Sequence, residues 1–121
     1  MSPLIIRGGY TGVDRLNGLE EHTIFLITDA AMSGVGSHEF TSVGQADVNP
    51  LLTPQAKRLV DAIFIDCGAR LVLVDRYYLL IEPGSLALMD EEFTLERFTT
   101  SVIALMRKHL DEADSASSPP R

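Results

Sequence analysis

Short apolar runs along the first half of the chain predict strands. The run from Thr23 to Thr28 is rich in β-branched and aromatic residues and is too short for a helix, so it predicts a buried strand. A weaker strand is predicted from His38 to Val43, after a loop that contains two glycines. A long hairpin is the simplest way to pair these two strands, and we expect them to be neighbours.

The clearest helix signals lie between Thr53 and Gly68. Thr53 stands where an N-cap belongs, Pro54 occupies the first helical position, where its missing N–H costs nothing, and Gly68 falls just past the end. The apolar residues between these limits repeat with helical spacing. They predict one buried face made of Ala56, Leu59, Val60, Ile63 and Phe64.

Two apolar runs follow this helix, at residues 71–74 and 77–81, and Asp75 and Arg76 separate them. The pattern predicts two strands joined by a tight turn, the second strand ending at Glu82-Pro83-Gly84. A single strand from residue 71 to residue 81 is the competing interpretation, because Asp-Arg lacks the glycine that a two-residue hairpin turn prefers.

A second helix is predicted to begin after Thr94 as its N-cap, with Phe93 packing against Phe98 in a hydrophobic staple. Positive residues at positions 107–109 complement the C-terminal end of the helix dipole. Residues 85–92 are compatible with one helical turn or with a loop. The apolar stripe of the helix consists of Leu95, Phe98, Val102, Leu105 or Met106, and Leu110.

The order of these elements is ββαββα. It predicts an α+β domain in which a four-stranded antiparallel sheet carries two helices on one face. We expect this single domain to occupy residues 20–110. Residues 1–19 contain a glycine-rich stretch and predict a flexible N-terminal arm, and residues 111–121 are polar, end in Pro-Pro-Arg and predict a disordered C-terminal tail.

Composition narrows the functional classes. The 121 residues, 45% of them hydrophobic, are enough for one globular core. Asp and Glu number 17 against 10 for Lys and Arg, and the net charge of −7 argues against general nucleic-acid binding. No apolar run approaches the roughly 20 residues of a membrane span. Without a signal-peptide pattern and with a single thiol, we expect a cytoplasmic protein.

Candidate chemistry is sparse. Cys67 is predicted at the C-terminal end of the first helix beside Asp66, and both the acidic neighbour and the helix dipole should raise its pKa. The three histidines fall on different elements without metal-ligand spacing, and no serine lies in a nucleophile-elbow motif. We therefore expect no enzymatic activity, no metal and no cofactor.

The sheet surface is the best candidate for a binding site. Tyr77 and Tyr78 are adjacent in a predicted strand, so one should lie in the core and the other on the uncovered face of the sheet. We expect a protein partner, which the sequence does not identify, and the oligomeric state stays open. The candidate partner surface consists of Arg76, Tyr77, Tyr78 and His38.

Two segments carry a family resemblance: TPQAKRL at residues 53–59 and GARLVLVDRYYLLI at residues 68–81. They resemble the N-terminal domain of the Nfu-type, NifU-related iron–sulfur cluster assembly proteins. The matching pattern is an A-K-x-L helix start, a Gly, a short strand, a turn with Asp and a second strand. The chain has Ala31-Met32-Ser33 where that family usually carries an Asn-Pro pair, and its 121 residues contain no C-x-x-C motif of the kind that holds the cluster.

The resemblance implies a non-enzymatic interaction module, accessory to iron–sulfur cluster assembly or delivery, that does not itself hold a cluster. No cluster-binding residue can be transferred to this sequence. The alternative interpretation, from a different class, is an oligomerising structural or assembly protein, for instance one of viral origin, that uses flexible arms to reach its neighbours.

Overall fold

The computed structural model describes residues 5–16 and 19–117. A 3-10 turn at Ala46–Val48 precedes the first helix, and a π-helical turn at Ile63–Cys67 follows it. In chain order, the strands and α-helices are β1 (Ile6–Leu16), β2 (Leu19–Thr28), β3 (His38–Phe40), α1 (Pro54–Ala62), β4 (Ala69–Val74), β5 (Tyr78–Pro83), α2 (Ser85–Leu88) and α3 (Leu95–Ser117).

The sheet is antiparallel throughout, in the order β1-β2-β5-β4-β3. The prediction of an α+β fold with an antiparallel sheet and two main helices, α1 and α3, is confirmed. The number of strands is wrong, because the sheet has five strands and not four. The observed order is βββαββα with a short additional turn of helix, α2, before α3.

The additional strand is β1, in a region where the sequence predicts a flexible arm. β1 pairs with β2 from Ile6 opposite Thr28 to Leu16 opposite Leu19. The glycines that suggested flexibility permit close approach instead: a Cβ on Gly8 would lie 1.9 Å from the carbonyl oxygen of Phe25. β1 and the start of β2 therefore lie before residue 20, where the sequence predicts the domain to begin. The domain limits themselves stay a prediction.

The expected hairpin between the first two predicted strands is also wrong. β2 pairs with β1 and β5, whereas β3 is short and pairs only with β4. The loop after β2 does not return along β2 but runs to the turn between β4 and β5. There the Met32 N–H donates to the carbonyl of Arg76, and the Met32 side chain is fully buried. Residues 41–43 do not extend β3, because the Gln45 side chain accepts the N–H groups of Thr41 and Ser42.

The signals that predicted α1 are confirmed in detail. The Thr53 hydroxyl accepts a hydrogen bond from the Ala56 N–H at 3.1 Å, and Pro54 is the first helical residue. The chain leaves the following π-helical turn at Gly68, whose φ of 69° is in the left-handed region. Of the predicted buried face, Phe64 is half-buried and four residues are fully buried: Ala56, Leu59, Val60 and Ile63.

β4 and β5 form the predicted hairpin, so the interpretation as one continuous strand is wrong. The Asp75 N–H donates to the Tyr78 carbonyl at 2.8 Å and closes the turn. Because β5 begins only at Tyr78, Tyr77 lies in the turn with 45% of its surface exposed. Tyr78 is half-buried and does not belong to the core cluster. The expectation that one of the two tyrosines is a core residue is therefore wrong.

α3 begins as predicted and ends later. The Thr94 hydroxyl accepts the Arg97 N–H at 3.0 Å, and the rings of Phe93 and Phe98 lie 6.0 Å apart. The helix continues to Ser117, past residue 110, where the sequence predicts the domain to end, and the disordered tail from residue 111 stays a prediction. Residues 118–121 lie outside the described part of the chain. The buried stripe is Phe98, Val102, Met106 and Leu110.

Candidate docking surface

Alternation along the strands gives the sheet two different faces. On one face, the side chains of β2, β4 and β5 are buried and join the stripes of α1 and α3 in one apolar cluster. This covered face is the core of the protein. Its central sheet residues are Ile24, Leu26, Val72, Val74, Leu79 and Ile81, each at most 1% exposed.

The opposite face is also apolar, although α1 and α3 pack on the other side. Its residues occupy the alternate positions of the same three strands and do not belong to the core cluster. Ile27 is 52% exposed, and the others are half-buried. We call this surface the open face and define it by Phe25, Ile27, Leu71, Leu73, Tyr78 and Leu80.

The strand register arranges these side chains in rows across the sheet. Phe25, Leu80 and Leu73 are direct neighbours in one row, and Ile27 and Tyr78 are neighbours in the next. The rings of Phe25 and Tyr78 contact each other diagonally, with centroids 5.6 Å apart and an interplanar angle of 51°. The open face therefore presents a continuous and ordered apolar surface.

Charged side chains surround this apolar surface. Arg7 on the outer strand β1 lies in the row of Ile27, and Glu39 on the opposite outer strand β3 lies in the row of Leu73. Both side chains are exposed, and each alternates with a core-facing neighbour on its strand. Arg70 and Glu82 form an ion pair within the chain, with a nitrogen–oxygen distance of 2.7 Å.

The structure divides the predicted partner surface between three places. Only Tyr78 lies on the open face. Arg76 and Tyr77 lie in the turn between β4 and β5, where the Arg76 guanidinium stands 5.6 Å from the centre of the Tyr77 ring. His38 opens β3 opposite Val74, a residue of the covered face, and does not share a surface with Tyr78.

His38 is held by its own loop. Its Nε2 atom lies 2.8 Å from the Val35 carbonyl, and its Nδ1 atom lies 3.3 Å from the Asn49 side-chain amide. In these two contacts the His38 ring is paired with a carbonyl and an amide, and not with a serine hydroxyl that it could activate as a nucleophile. Nearby, the Asp75 carboxyl accepts the Arg76 N–H and, secondly, the Ser37 hydroxyl, and these bonds hold its pKa below the usual range. These contacts fix the loop against the β4–β5 turn.

Cys67 lies beside a cleft between the end of the π-helical turn and the start of α3. The cleft is lined by acidic side chains, including Asp66 and Glu92, together with Arg97. Burial, and secondarily the charge of Asp66, raises the pKa of the Cys67 thiol to about 11. The direction confirms the expectation for this thiol, whose nucleophilic thiolate form is scarce at neutral pH.

Sequence patterns missed most of the open face. Phe25, Leu73 and Leu80 lie in strands whose two sides are both apolar, so the period of two that identifies a solvated face is absent. That absence is itself a signal. An antiparallel strand that is apolar on both sides indicates a sheet with a second surface to cover.

Comparisons of the chain with protein-family models, with curated proteins and with solved structures gave no match. The resemblance to the Nfu N-terminal domain therefore stays a prediction. Within residues 5–16 and 19–117, no helix is long and apolar enough to cross a membrane. The same residues contain no group of three His, Cys, Asp or Glu side chains placed to hold a metal ion.

Proposed function

We propose that this chain is a protein-interaction module that docks a polypeptide on its open face. The observation that supports the proposal is the apolar row of Phe25, Leu80 and Leu73 on the side of the sheet away from α1 and α3. Antiparallel sheets normally carry polar side chains on a solvated face. Contiguous apolar surface rimmed by polar residues is typical of a protein-docking site.

The role within iron–sulfur cluster assembly is the more specific part of the proposal, and it depends on the resemblance of residues 53–59 and 68–81 to the Nfu N-terminal domain. In this role the chain positions a partner and holds no cluster itself. The thiol of Cys67 is free, which suits a reducing compartment, and we place the protein in the cytoplasm.

The test is affinity capture from an extract of the cells that produce the protein. The wild-type chain and a Leu80→Asp variant are compared, since a carboxylate in the middle of the apolar row should abolish docking. Ile65→Asp is the matched control, because Ile65 is 69% exposed and lies on the π-helical turn. Circular dichroism verifies that each variant is folded.

We expect the same partner to be recovered by the wild-type chain and the Ile65→Asp variant and to be lost with Leu80→Asp. Equal recovery by all three folded proteins would show that the open face is not the docking site. Iron–sulfur assembly proteins among the partners would support the specific role, and a partner set without them would contradict it.

A further inference from the structure

The open face has a pattern that suits a copy of itself. In the strand order, β5 is central, β2 and β4 flank it, and β1 and β3 are the two edges. Consider a two-fold axis that runs parallel to β5, just above the open face. It would place β2 of one copy over β4 of the other, and β1 of one copy over β3 of the other. Interfaces with two-fold symmetry require this kind of self-complementary surface.

We infer that the polypeptide that covers the open face is a second copy of this chain, packed face to face around a two-fold axis along β5. This inference rests on the proposed function, because it names the occupant of the same surface. Leu80, in the middle of the central row, faces Leu80 of the second copy. Phe25 on β2 faces Leu73 on β4 of the second copy, and the reverse contact forms by symmetry.

The charges at the two edges are complementary under the same operation. In the dimer, the edge strand β1 with Arg7 lies over the edge strand β3 of the second copy, which carries Glu39. The two residues lie in adjacent rows, about 6.6 Å apart along the strand direction, a distance that a long arginine side chain can span. In the row of Glu39, β1 contributes Gly9, which leaves room at this edge.

The remaining charged pair does not oppose the packing. Glu82 on β5 lies close to the proposed axis, where it approaches Glu82 of the second copy, but each Glu82 is neutralised by Arg70 of its own chain. The open face thus brings together apolar rows near the axis and opposite charges at the edges. Electrostatic complementarity of this kind fixes the orientation of two partners.

The size of the surface sets the expected strength. Four strands about 4.8 Å apart and about six residues long, together with the short strand β3, cover roughly 430 Å² on each copy, before the relief of the side chains is counted. Stable specific interfaces bury about 600–1,000 Å² per partner, so this one falls below their range and suits a weak, transient contact. We expect a reversible dimer with a dissociation constant of about 10–100 µM.

The experiment is sedimentation equilibrium of the full chain from about 5 µM to about 500 µM, at physiological ionic strength, which limits repulsion between acidic copies. We expect the mass to rise from monomer to dimer over this range. Leu80→Asp should weaken association at least about tenfold, because the substitution places two carboxylates at the axis. Ile65→Asp, which lies outside the open face, should leave the dissociation constant unchanged.

Charge exchange tests the geometry without changing an apolar residue. Arg7→Glu and Glu39→Arg should each weaken association about tenfold, because each sets like charges against one another twice in the dimer. The double variant, with the two charges exchanged, should recover wild-type association. A mixture of the two single variants should form heterodimers more strongly than either variant associates with itself.

The outcomes separate this inference from the proposed function. A chain that stays monomeric up to about 500 µM, or a dimer that neither Leu80→Asp nor the charge reversals weaken, would overturn the inference. In either case, capture of a different protein that Leu80→Asp abolishes would leave the proposed function intact. Recovery of association in the double charge variant supports the two-fold arrangement specifically.

Discussion

The covered face and the open face of the sheet are built from neighbouring residues of the same strands. Leu79 and Leu80 are adjacent on β5, yet Leu79 is fully buried in the cluster with α1 and α3, whereas Leu80 is half-buried among strand neighbours. Their chemistry is identical, and only the side of the sheet differs. The covered face therefore contributes the core that stabilises the chain, and the open face is the surface where we propose that a partner binds.

The difference shows that an apolar strand residue need not be a core residue. On the covered face, the apolar contacts are complete within one chain. On the open face, Phe25, Tyr78 and Leu80 are ordered against each other but leave one side without a layer of helix. We propose that a second polypeptide buries that side, in which case the free energy of burial appears as association and not as folding.

The largest expected effect separates the two adjacent leucines. Leu79→Ala should lower the free energy of unfolding by about 2–5 kcal/mol, because it leaves a cavity in the core. Leu80→Ala should lower it by less than about 1.5 kcal/mol, because its side chain loses only partial burial. Urea denaturation measures both losses. It is done at about 1 µM protein, well below the expected dissociation constant, so that the chain is monomeric. Equal losses would contradict the distinction between the two faces.

A smaller effect is expected where two backbone segments meet at the end of the covered face. A Cβ on Gly84 would lie 2.6 Å from the Gly68 carbonyl oxygen, which accepts the Gly84 N–H. Gly84→Ala should therefore cost about 1–3 kcal/mol of the free energy of unfolding. Gly34→Ala is the control, because its new Cβ would approach only one atom, at 3.9 Å. A thermal melt in which the two variants match would refute this packing.

The cap of α1 should contribute less. Thr53→Ala removes the hydroxyl that accepts the Ala56 N–H, and we expect a loss of about 1 kcal/mol in the free energy of unfolding. Thr100→Ala, at an exposed position within α3, should instead raise it by up to about 0.7 kcal/mol, because alanine has the higher helix propensity. Neither variant should change the dissociation constant of the dimer. A changed dissociation constant for Thr53→Ala would contradict this expectation and would link α1 to the open face.

The smallest effect concerns the pH dependence of Cys67. Its pKa is raised to about 11, whereas a free cysteine has a pKa of about 8.5. Alkylation by iodoacetamide should therefore be slow at neutral pH and should still accelerate between about pH 9 and about pH 11. Alkylation of free cysteine should level off near about pH 10 and serves as the control. A plateau of the Cys67 rate below pH 9.5 would contradict the burial of this thiol.

The same shift fixes the sign of its contribution to stability. The folded chain keeps the thiol proton to higher pH than the unfolded chain does. As pH rises above about 8.5, the unfolded state therefore ionises first, and the stability contributed by this group decreases until about pH 11. The contribution is fully present below the unfolded pKa.

Local signals predicted the helices because each signal acts over a few residues. Thr53 and Thr94 cap the helices that their sequence positions indicate, Gly68 leaves the π-helical turn with a positive φ, and Phe93 contacts Phe98. The β4–β5 hairpin is equally local, since one short turn joins its strands. For these elements, the interactions that decide the structure are already close together in the sequence.

The sheet order and most of the docking surface depended on distant contacts. Ile24 pairs with Ile81, and the backbone of β1 is paired along the edge of β2. Of the open face, the sequence indicated Tyr78 but not Phe25 or Leu80, since strands that are apolar on both sides carry no mark of which side the helices cover. Sequence by itself determined the elements and their apolar character. Only tertiary structure decided which apolar side was covered, because that depends on where α1 and α3 pack.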